Sequence, residues 1–288
     1  MKRFALALLA LPLMGCEQAR PPSPAVVAAR TAKGTVATKF ETKIQPEEPR
    51  AGSTSIWNFK VFDVKNKEDG SRKEWKFFKA LPQSATDKGT TEVLMNVWLI
   101  SKDKSVFLPQ KPTYGQYGSF LTDWQIPHTG QYILFAEYQP VVAKDELSPD
   151  DLKGSKALSV EHARWEVAVG GMGGEGDWRT PAPASGNSTK AWTLDGDGYG
   201  DPAPFTVSLA APPLAANVPA TLAPKLGGVQ GEVTEQAVTA LSPDSRMLLH
   251  AVGAAPRLTF PSKGVWRMWF TLRVDGKPFA ASFDLTVR

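Results

Sequence analysis

Hydrophobic and polar residues alternate with a period of two in several stretches of the chain, as they do in β-strands that bury one face. In the first stretch Trp57, Phe59 and Val61 share one face, with Asn58 and Lys60 opposite. The same period recurs in the stretches that carry Met95, Val97 and Leu99; Tyr132, Leu134, Ala136 and Tyr138; Trp165, Val167 and Val169; Trp266, Met268, Phe270 and Leu272; and Phe283, Leu285 and Val287. The sequence shows no long helical periodicity, so the pattern predicts an all-β protein with antiparallel sheets.

A stretch rich in Gly, Pro and Ser over residues 171–190 separates the earlier strands from the later ones. Such a composition is typical of a linker between domains. We therefore expect one β-sandwich domain over residues 40–170 and a second over 191–288. Further upstream, a proline-rich run at residues 21–24 is followed by small residues, which predicts an extended tether over 16–39.

An internal repeat supports two copies of one fold. Residues 126–135 and 260–269 both read apolar-Pro-x-x-Gly-x-aromatic-x-Leu/Met-aromatic. Proline ends a strand because it cannot donate to a ladder, and glycine permits a tight turn with positive φ. The aromatic residue then opens the next strand. We expect the same strand-turn-strand corner in both domains.

The N-terminus has the features of a secretory signal over residues 1–15. Lys2 and Arg3 form a positive head, and the apolar run that follows, residues 4–14, is far shorter than the ~20 residues of a membrane-spanning helix. The run ends in Leu-Met-Gly-Cys, which resembles the lipobox of bacterial lipoproteins. In that family the cysteine, here Cys16, is acylated and becomes the mature N-terminus. Two or three acyl chains would anchor a soluble domain stably, at ~0.8 kcal/mol per buried CH₂.

Cysteine content and charge narrow the class of protein. Cys16 is the only cysteine, so the chain forms no disulfide within itself, although exported proteins often use them. The formal charge is +4, and loss of Lys2 and Arg3 with the signal leaves +2. That near-neutral balance gives no support to a nucleic-acid partner.

One stretch suggests a calcium loop. Asp195, Asp197 and Asp201 alternate with glycines and resemble the calcium loops of dockerin and thrombospondin-type repeats, in which carboxylates surround one cation. Two positions depart from that pattern, because Thr193 stands at the first acidic ligand and Pro204 at the bidentate acid. A hairpin turn, in which Asp-Gly pairs supply positive φ, is the interpretation we favour.

No catalytic motif stands out. The three histidines, His128, His162 and His250, have no metal-ligand spacing in the sequence. The G-x-G-x-x-G match at residues 171–176 is followed by a proline-containing segment instead of the helix that a dinucleotide site needs. The sequence contains no G-x-S-x-G, H-E-x-x-H or P-loop motif, so we expect a protein that is not an enzyme.

The nine tryptophans suggest an alternative function. Trp57, Trp165 and Trp266 fall on strand faces where core packing is the usual explanation. Trp98 and Trp269 lie on the opposite phase, which leaves open an exposed position for both. Exposed aromatic rings stack on sugars, so a glycan-binding envelope module is one alternative.

A family resemblance supports the fold. Residues 93–107, continuing to Phe-Ala-Glu-Tyr at 135–138, are similar to the exported Ig-like domains called YtkA-like, which often occur near heavy-metal-binding modules. The resemblance covers about residues 50–140 and returns more faintly over about 235–288. It implies two tandem Ig-like antiparallel β-sandwiches.

The histidines of that family imply a metal site for copper, which imidazole binds well. The first histidine position is Asn96 in this chain, and the paired positions fall at about Pro109 and Lys111. In the second domain His250 remains, with Val252 at its partner position. The resemblance therefore implies the scaffold with most metal ligands lost, and copper handling through His250 is the other alternative.

The leading hypothesis is an envelope lipoprotein, anchored by lipid to the plasma or outer membrane with its domains facing the periplasm or the exterior. It would act as a non-catalytic binding or structural module with an envelope protein or glycan as partner. We expect no cofactor, with Ca²⁺ or copper as lesser alternatives.

Overall fold

The structure of the protein is a computed structural model that describes residues 38–66, 72–74, 94–115, 119–139, 160–171, 184, 188–194 and 202–288. Its regular structure over these residues is strand alone, and all the ladders between strands are antiparallel. The prediction of an all-β protein with antiparallel sheets is confirmed.

Two sheets form the N-terminal part. Its strands are β1 (Thr38–Gln45), β2 (Thr54–Asn66), β3 (Arg72–Glu74), β4 (Met95–Ser101), β5 (Phe107–Gln110), β6 (Thr113–Tyr114), β7 (Phe120–Gln125), β8 (Gly130–Tyr138) and β9 (Glu161–Val169). The N-terminal sheet has the order β1-β2-β7-β6, with β3 beside β2. The second sheet, which we call the central sheet, has the order β5-β4-β8-β9.

The C-terminal part has one large sheet and one small one. Its strands are β10 (Ser188–Thr193), β11 (Pro202–Leu209), β12 (Pro219–Thr221), β13 (Pro224–Gly227), β14 (Val233–Leu241), β15 (Leu248–Val252), β16 (Arg257–Thr259), β17 (Gly264–Val274) and β18 (Lys277–Val287). The C-terminal sheet has the order β13-β11-β10-β18-β17-β14-β15, and β12 pairs with β16.

Strands begin inside both segments that the sequence predicts to be irregular. β1 begins at Thr38, within the predicted tether, and pairs with β2 along its whole length. β10 begins at Ser188, within the predicted 171–190 linker, and its first residues pair with β11. The first residues of both strands are mostly polar, which explains why hydrophobic periodicity does not reveal them.

The central sheet is buried on both faces. Met95, Val97 and Leu99 of β4 pack into the core shared with the N-terminal sheet. On the opposite face Trp98 and Ile100 belong to a second core, which is shared with the C-terminal sheet. All seven residues of β4 are buried, as are the last seven of β8. We call the contact between the central and C-terminal sheets the junction.

The repeated corner adopts the same structure in both parts. Gly130 and Gly264 have φ values of 139° and 124°, so each occupies the region that favours glycine, as predicted. The Tyr132 hydroxyl donates to the His128 carbonyl at 3.0 Å. At the equivalent corner, Trp266 Nε1 donates to the carbonyl of Ser262, also at 3.0 Å. The aromatic residue of the repeat thus ties each corner to its own turn.

The two corner glycines differ in their surroundings, which gives a matched test. A Cβ at Gly264 would lie 2.7 Å from Pro243 Cγ, whereas a Cβ at Gly130 would meet nothing within 4 Å. We expect Gly130→Ala to cost about 1–2 kcal/mol from backbone strain, and Gly264→Ala to cost a further ~1–3 kcal/mol from the clash. Urea unfolding of both variants measures the difference, and equal losses would contradict the clash.

Candidate functional site

Several predicted site residues lie outside the described residues. These are the predicted lipidation site Cys16 and the three candidate calcium ligands Asp195, Asp197 and Asp201. The lipidation and calcium hypotheses therefore stay predictions. Among the described residues, the candidate site is the junction, because His250 and several other titratable side chains meet there.

Aromatic packing forms the centre of the junction. The rings of Phe107 in β5 and Trp269 in β17 stack with centroids 4.4 Å apart and an angle of 7° between their planes. Ile133 and Phe135 of β8 add further apolar surface from the central sheet. A large apolar face of each sheet is thereby removed from water, which is the main stabilising contribution that such a contact offers.

The structure shows whether Trp98 and Trp269 are exposed, which the sequence left open. Trp98 is 3% exposed and Trp269 is fully buried, because the faces that carry them pack against each other across the junction. The remaining tryptophans in the described part of the chain are buried as well: Trp57, Trp124, Trp165, Trp192 and Trp266. An exposed stacking platform at Trp98 and Trp269 is therefore wrong.

A tight loop at residues 101–106 connects β4 to β5 and borders the junction. The hydroxyl of Ser101 donates to Asp103 Oδ1 and accepts a bond from the Val106 amide at 2.9 Å. The Lys104 amide donates to the Ser101 carbonyl at 2.8 Å, and Lys104 has a positive φ of 63°. Hydrogen bonds from serine and aspartate side chains thus take the place of ladder hydrogen bonds here and fix the conformation of the loop.

The loop at residues 242–247, between β14 and β15, repeats this arrangement. Ser242 donates to Asp244 Oδ1 and accepts from the Met247 amide at 3.0 Å. The Ser245 amide donates to the Ser242 carbonyl at 3.0 Å, and Ser245 has a φ of 58°. The two parts of the chain therefore share a second structural element besides the repeated corner.

The two loops bond to each other and to the opposite sheet across the junction. Lys104 Nζ donates to the carbonyls of Ser242 and Pro243, at 3.3 Å each. In return, Arg267 Nη1 of β17 donates to the Lys104 carbonyl at 3.1 Å. Burial and the nearby Arg267 lower the pKa of Lys104. These bonds fix the register of one sheet on the other.

A second set of ionic contacts lies at the rim. Lys111 Nζ is 2.6 Å from Glu235 Oε2, and Arg273 Nε is 3.2 Å from the other oxygen of the same carboxylate. Burial alone would raise the pKa of Glu235, but the two cations hold it below its ordinary value. The carboxylate therefore stays ionised and links β14 to the chain that follows β5.

A buried carboxyl group lies on the junction face of β8. Glu137 is 3% exposed and accepts a bond from Asn96 Nδ2 at 3.2 Å. His162 Nδ1 is 4.0 Å from the other carboxyl oxygen, and the His162 side chain is 57% exposed. Burial raises the pKa of Glu137 to about 7, although the Asn96 bond acts in the opposite direction. Asn96, which the resemblance to YtkA-like domains aligns with a histidine, thus bonds to a carboxyl group.

His250 faces the same junction from β15. Its ring lies 4.9 Å from the Trp98 ring, and its Nδ1 is 3.1 Å from Thr239 Oγ1. Burial lowers its pKa to about 4, assisted by the charges of Lys111 and His162. At neutral pH it is therefore a neutral imidazole packed against an indole.

The geometry around His250 bears on metal binding. Across the described residues, no three His, Cys, Asp or Glu side chains come close enough to hold a metal ion together. The structure therefore does not identify His250 as a metal ligand, and copper handling stays a prediction.

Sequence reasoning missed Glu137, Asn96 and His162 as a cluster. The three residues occupy adjacent strands, and the cross-strand register brings Glu137 opposite both Asn96 and His162. The sequence signal for Glu137 was a charged residue on the same strand face as the apolar Ile133 and Phe135.

Comparisons with known proteins assign no family. A scan against protein-family models gives no match, and a search of curated proteins finds none significantly similar to this chain. The described residues contain no helix that could span a bilayer.

The stacked pair at the centre of the junction allows a direct test of its contribution. In a double-mutant cycle of Phe107→Leu and Trp269→Leu, we expect a coupling energy of about 0.5–1.5 kcal/mol in the free energy of urea unfolding. Phe40→Leu serves as the control partner for Trp269→Leu, because Phe40 packs in the other core. That cycle should be additive within about 0.5 kcal/mol. Zero coupling between Phe107 and Trp269 would contradict the stacked contact.

Proposed function

We propose that the chain is an envelope lipoprotein, anchored to a membrane by lipid on Cys16, with a non-catalytic binding or structural module beyond the tether. The anchor rests on the sequence alone, through the positive head, the short apolar run and the Leu-Met-Gly-Cys motif. One cysteine in the chain at this position leaves acylation as its simplest use.

The observation that supports a binding or structural role is the burial of the central sheet on both faces. Face-to-face sheets pack about 10 Å apart, so the three sheets form a stack with two close-packed cores. Such a unit suits a protein that presents its outer surfaces at fixed positions. The loops at 101–106 and 242–247 reinforce the stack with bonds across the junction.

The Ig-like identity of the two parts is a further element of the proposal. It rests on the resemblance to YtkA-like domains, and the repeated corner and the repeated loop support two copies of one fold. The glycan-binding alternative loses Trp98 and Trp269, the two residues on which it rested.

Metabolic labelling with an alkyne analogue of palmitate tests the anchor. We expect the parent chain to carry the label and to sediment with membranes, whereas Cys16→Ser should carry no label and remain in the soluble fraction. Ser23→Ala, in the predicted tether, is the matched control and should behave like the parent. Label or membrane sedimentation that persists in Cys16→Ser would contradict the anchor.

A further inference from the structure

One buried acid, Glu137, and one partly buried base, His250, lie in the same junction. Glu137 shares its strand face with Ile133 and Phe135, which belong to the core between the two sheets. His250 reaches that core from the C-terminal sheet and contacts Trp98. Their polar partners are neutral groups, since Asn96 bonds the carboxyl and a threonine hydroxyl bonds the imidazole.

The charged groups around Glu137 come from its neighbouring strands. β4 contributes the neutral Asn96, and β9 contributes His162, which is mostly exposed and at the limit of ion-pair distance. Arg164 of β9 is bonded to the Ser245 carbonyl and to Glu166. Glu161 has the opposite phase on β9 and faces the N-terminal sheet.

The charged groups around His250 also bond to other partners. Lys111, which follows β5, is bonded to Glu235 of β14. Arg273 of β17 binds the same carboxylate, so two cations share one anion and the charge of Lys111 still disfavours a positive charge at His250. His162 approaches from β9 and disfavours a second positive charge at His250. Burial favours the neutral form of Glu137, and partial burial beside Lys111 and His162 favours the neutral form of His250.

We propose that Glu137 and His250 act as a compensating acid–base pair that keeps the junction closed with similar strength from mildly acidic to mildly alkaline conditions. Each residue alone would make the junction sensitive to pH, in opposite directions. The proposal goes beyond membrane anchoring and does not depend on it.

The titrations of Glu137 and His250 set the direction in which each contribution to stability changes with pH. Glu137 has its pKa raised from 4.5 to about 7, so the stability it supports is complete below pH 4.5 and is lost as the pH rises through 7. His250 has its pKa lowered from 6.5 to about 4, so the stability it supports is complete above pH 6.5 and is lost as the pH falls through 4. The two contributions change in opposite directions with pH, so they offset each other over this range.

The test uses Glu137→Gln, His250→Phe and the double variant in the full chain. The glutamine amide of the first variant would still accept the Asn96 bond, and the phenyl ring of the second would still pack on Trp98. For each protein, the ratio of folded to unfolded molecules is obtained by urea unfolding at pH 4.5, 6 and 8. Every ratio is divided by the parent's ratio at the same pH, which removes the contribution of the other titrating groups.

From pH 4.5 to 8 we expect this relative ratio to rise about 100-fold for Glu137→Gln and to fall by a similar factor for His250→Phe. The double variant should change by less than about threefold, because both titrations are gone. Slopes of the same sign in the two single variants, or flat profiles in both, would overturn the proposal.

A junction-specific measurement separates local opening from general loss of stability. Ser282 is fully buried and pairs with Trp269, so Ser282→Cys in a Cys16→Ser background places one thiol at the junction. Ser55→Cys places the thiol in the other core, where Ser55 is 1% exposed and bonds to Trp124. With Glu137→Gln added, labelling at position 282 should accelerate towards acidic pH after correction for the intrinsic reactivity of the thiol, and labelling at 55 should change much less. Parallel changes at both thiols would overturn the assignment to the junction.

Asn96→Leu provides a second variant that does not alter either titrating group. The Asn96 bond favours the ionised carboxylate, so its loss should shift the alkaline decline in the folded-to-unfolded ratio of His250→Phe itself, not divided by the parent's ratio, to higher pH. An unchanged midpoint would show that Glu137 is not the group that titrates.

Discussion

The burial of the central sheet on both faces is the constraint on which the rest of the structure depends. A sheet with water on one side can place polar residues there, but β4 has no such side. Each polar residue along it therefore requires a partner. Asn96 bonds to Glu137, and the Ser101 hydroxyl bonds within its loop. The junction is consequently a second core, and its polar groups obey the rules of an interior.

The repeated loop shows how a local sequence can set a long-range register. A serine hydroxyl that accepts from an amide five residues on turns the chain sharply and leaves backbone carbonyls pointing outward. Lys104 uses the carbonyls of one loop, and Arg267 uses a carbonyl of the other. Two copies of one loop thus supply acceptors for cations from the opposite part of the chain. Such bonds to charged donors are stronger than neutral ones, which favours a single alignment of the sheets.

The strands were more predictable from the sequence than the junction and its candidate site. Alternation locates β2 and β9 because one face of each carries polar residues, whereas in β4 and β8 both phases are apolar and alternation assigns one of them to solvent by default. The phase carrying Trp98 was left open for that reason. Glu137 joins Asn96 only through the register of β4 on β8, and His250 joins them only when the C-terminal sheet packs on the central sheet. Residue type alone made His250 a candidate, whereas Glu137 became a candidate only through tertiary packing.

The distribution of charge across the junction supports this interpretation of Glu137 and His250. Lys111, Glu235 and Arg273 lie at the rim and form ion pairs that water can still reach. Glu137 lies further in, where an ion would lose its hydration, and His250 is partly buried; each bonds a neutral partner. A buried ion pair would tie closure to one narrow set of geometries, whereas two neutral groups require only that each keep its own hydrogen bond. The acid and the base are therefore not redundant, since each offsets the pH range in which the other becomes charged.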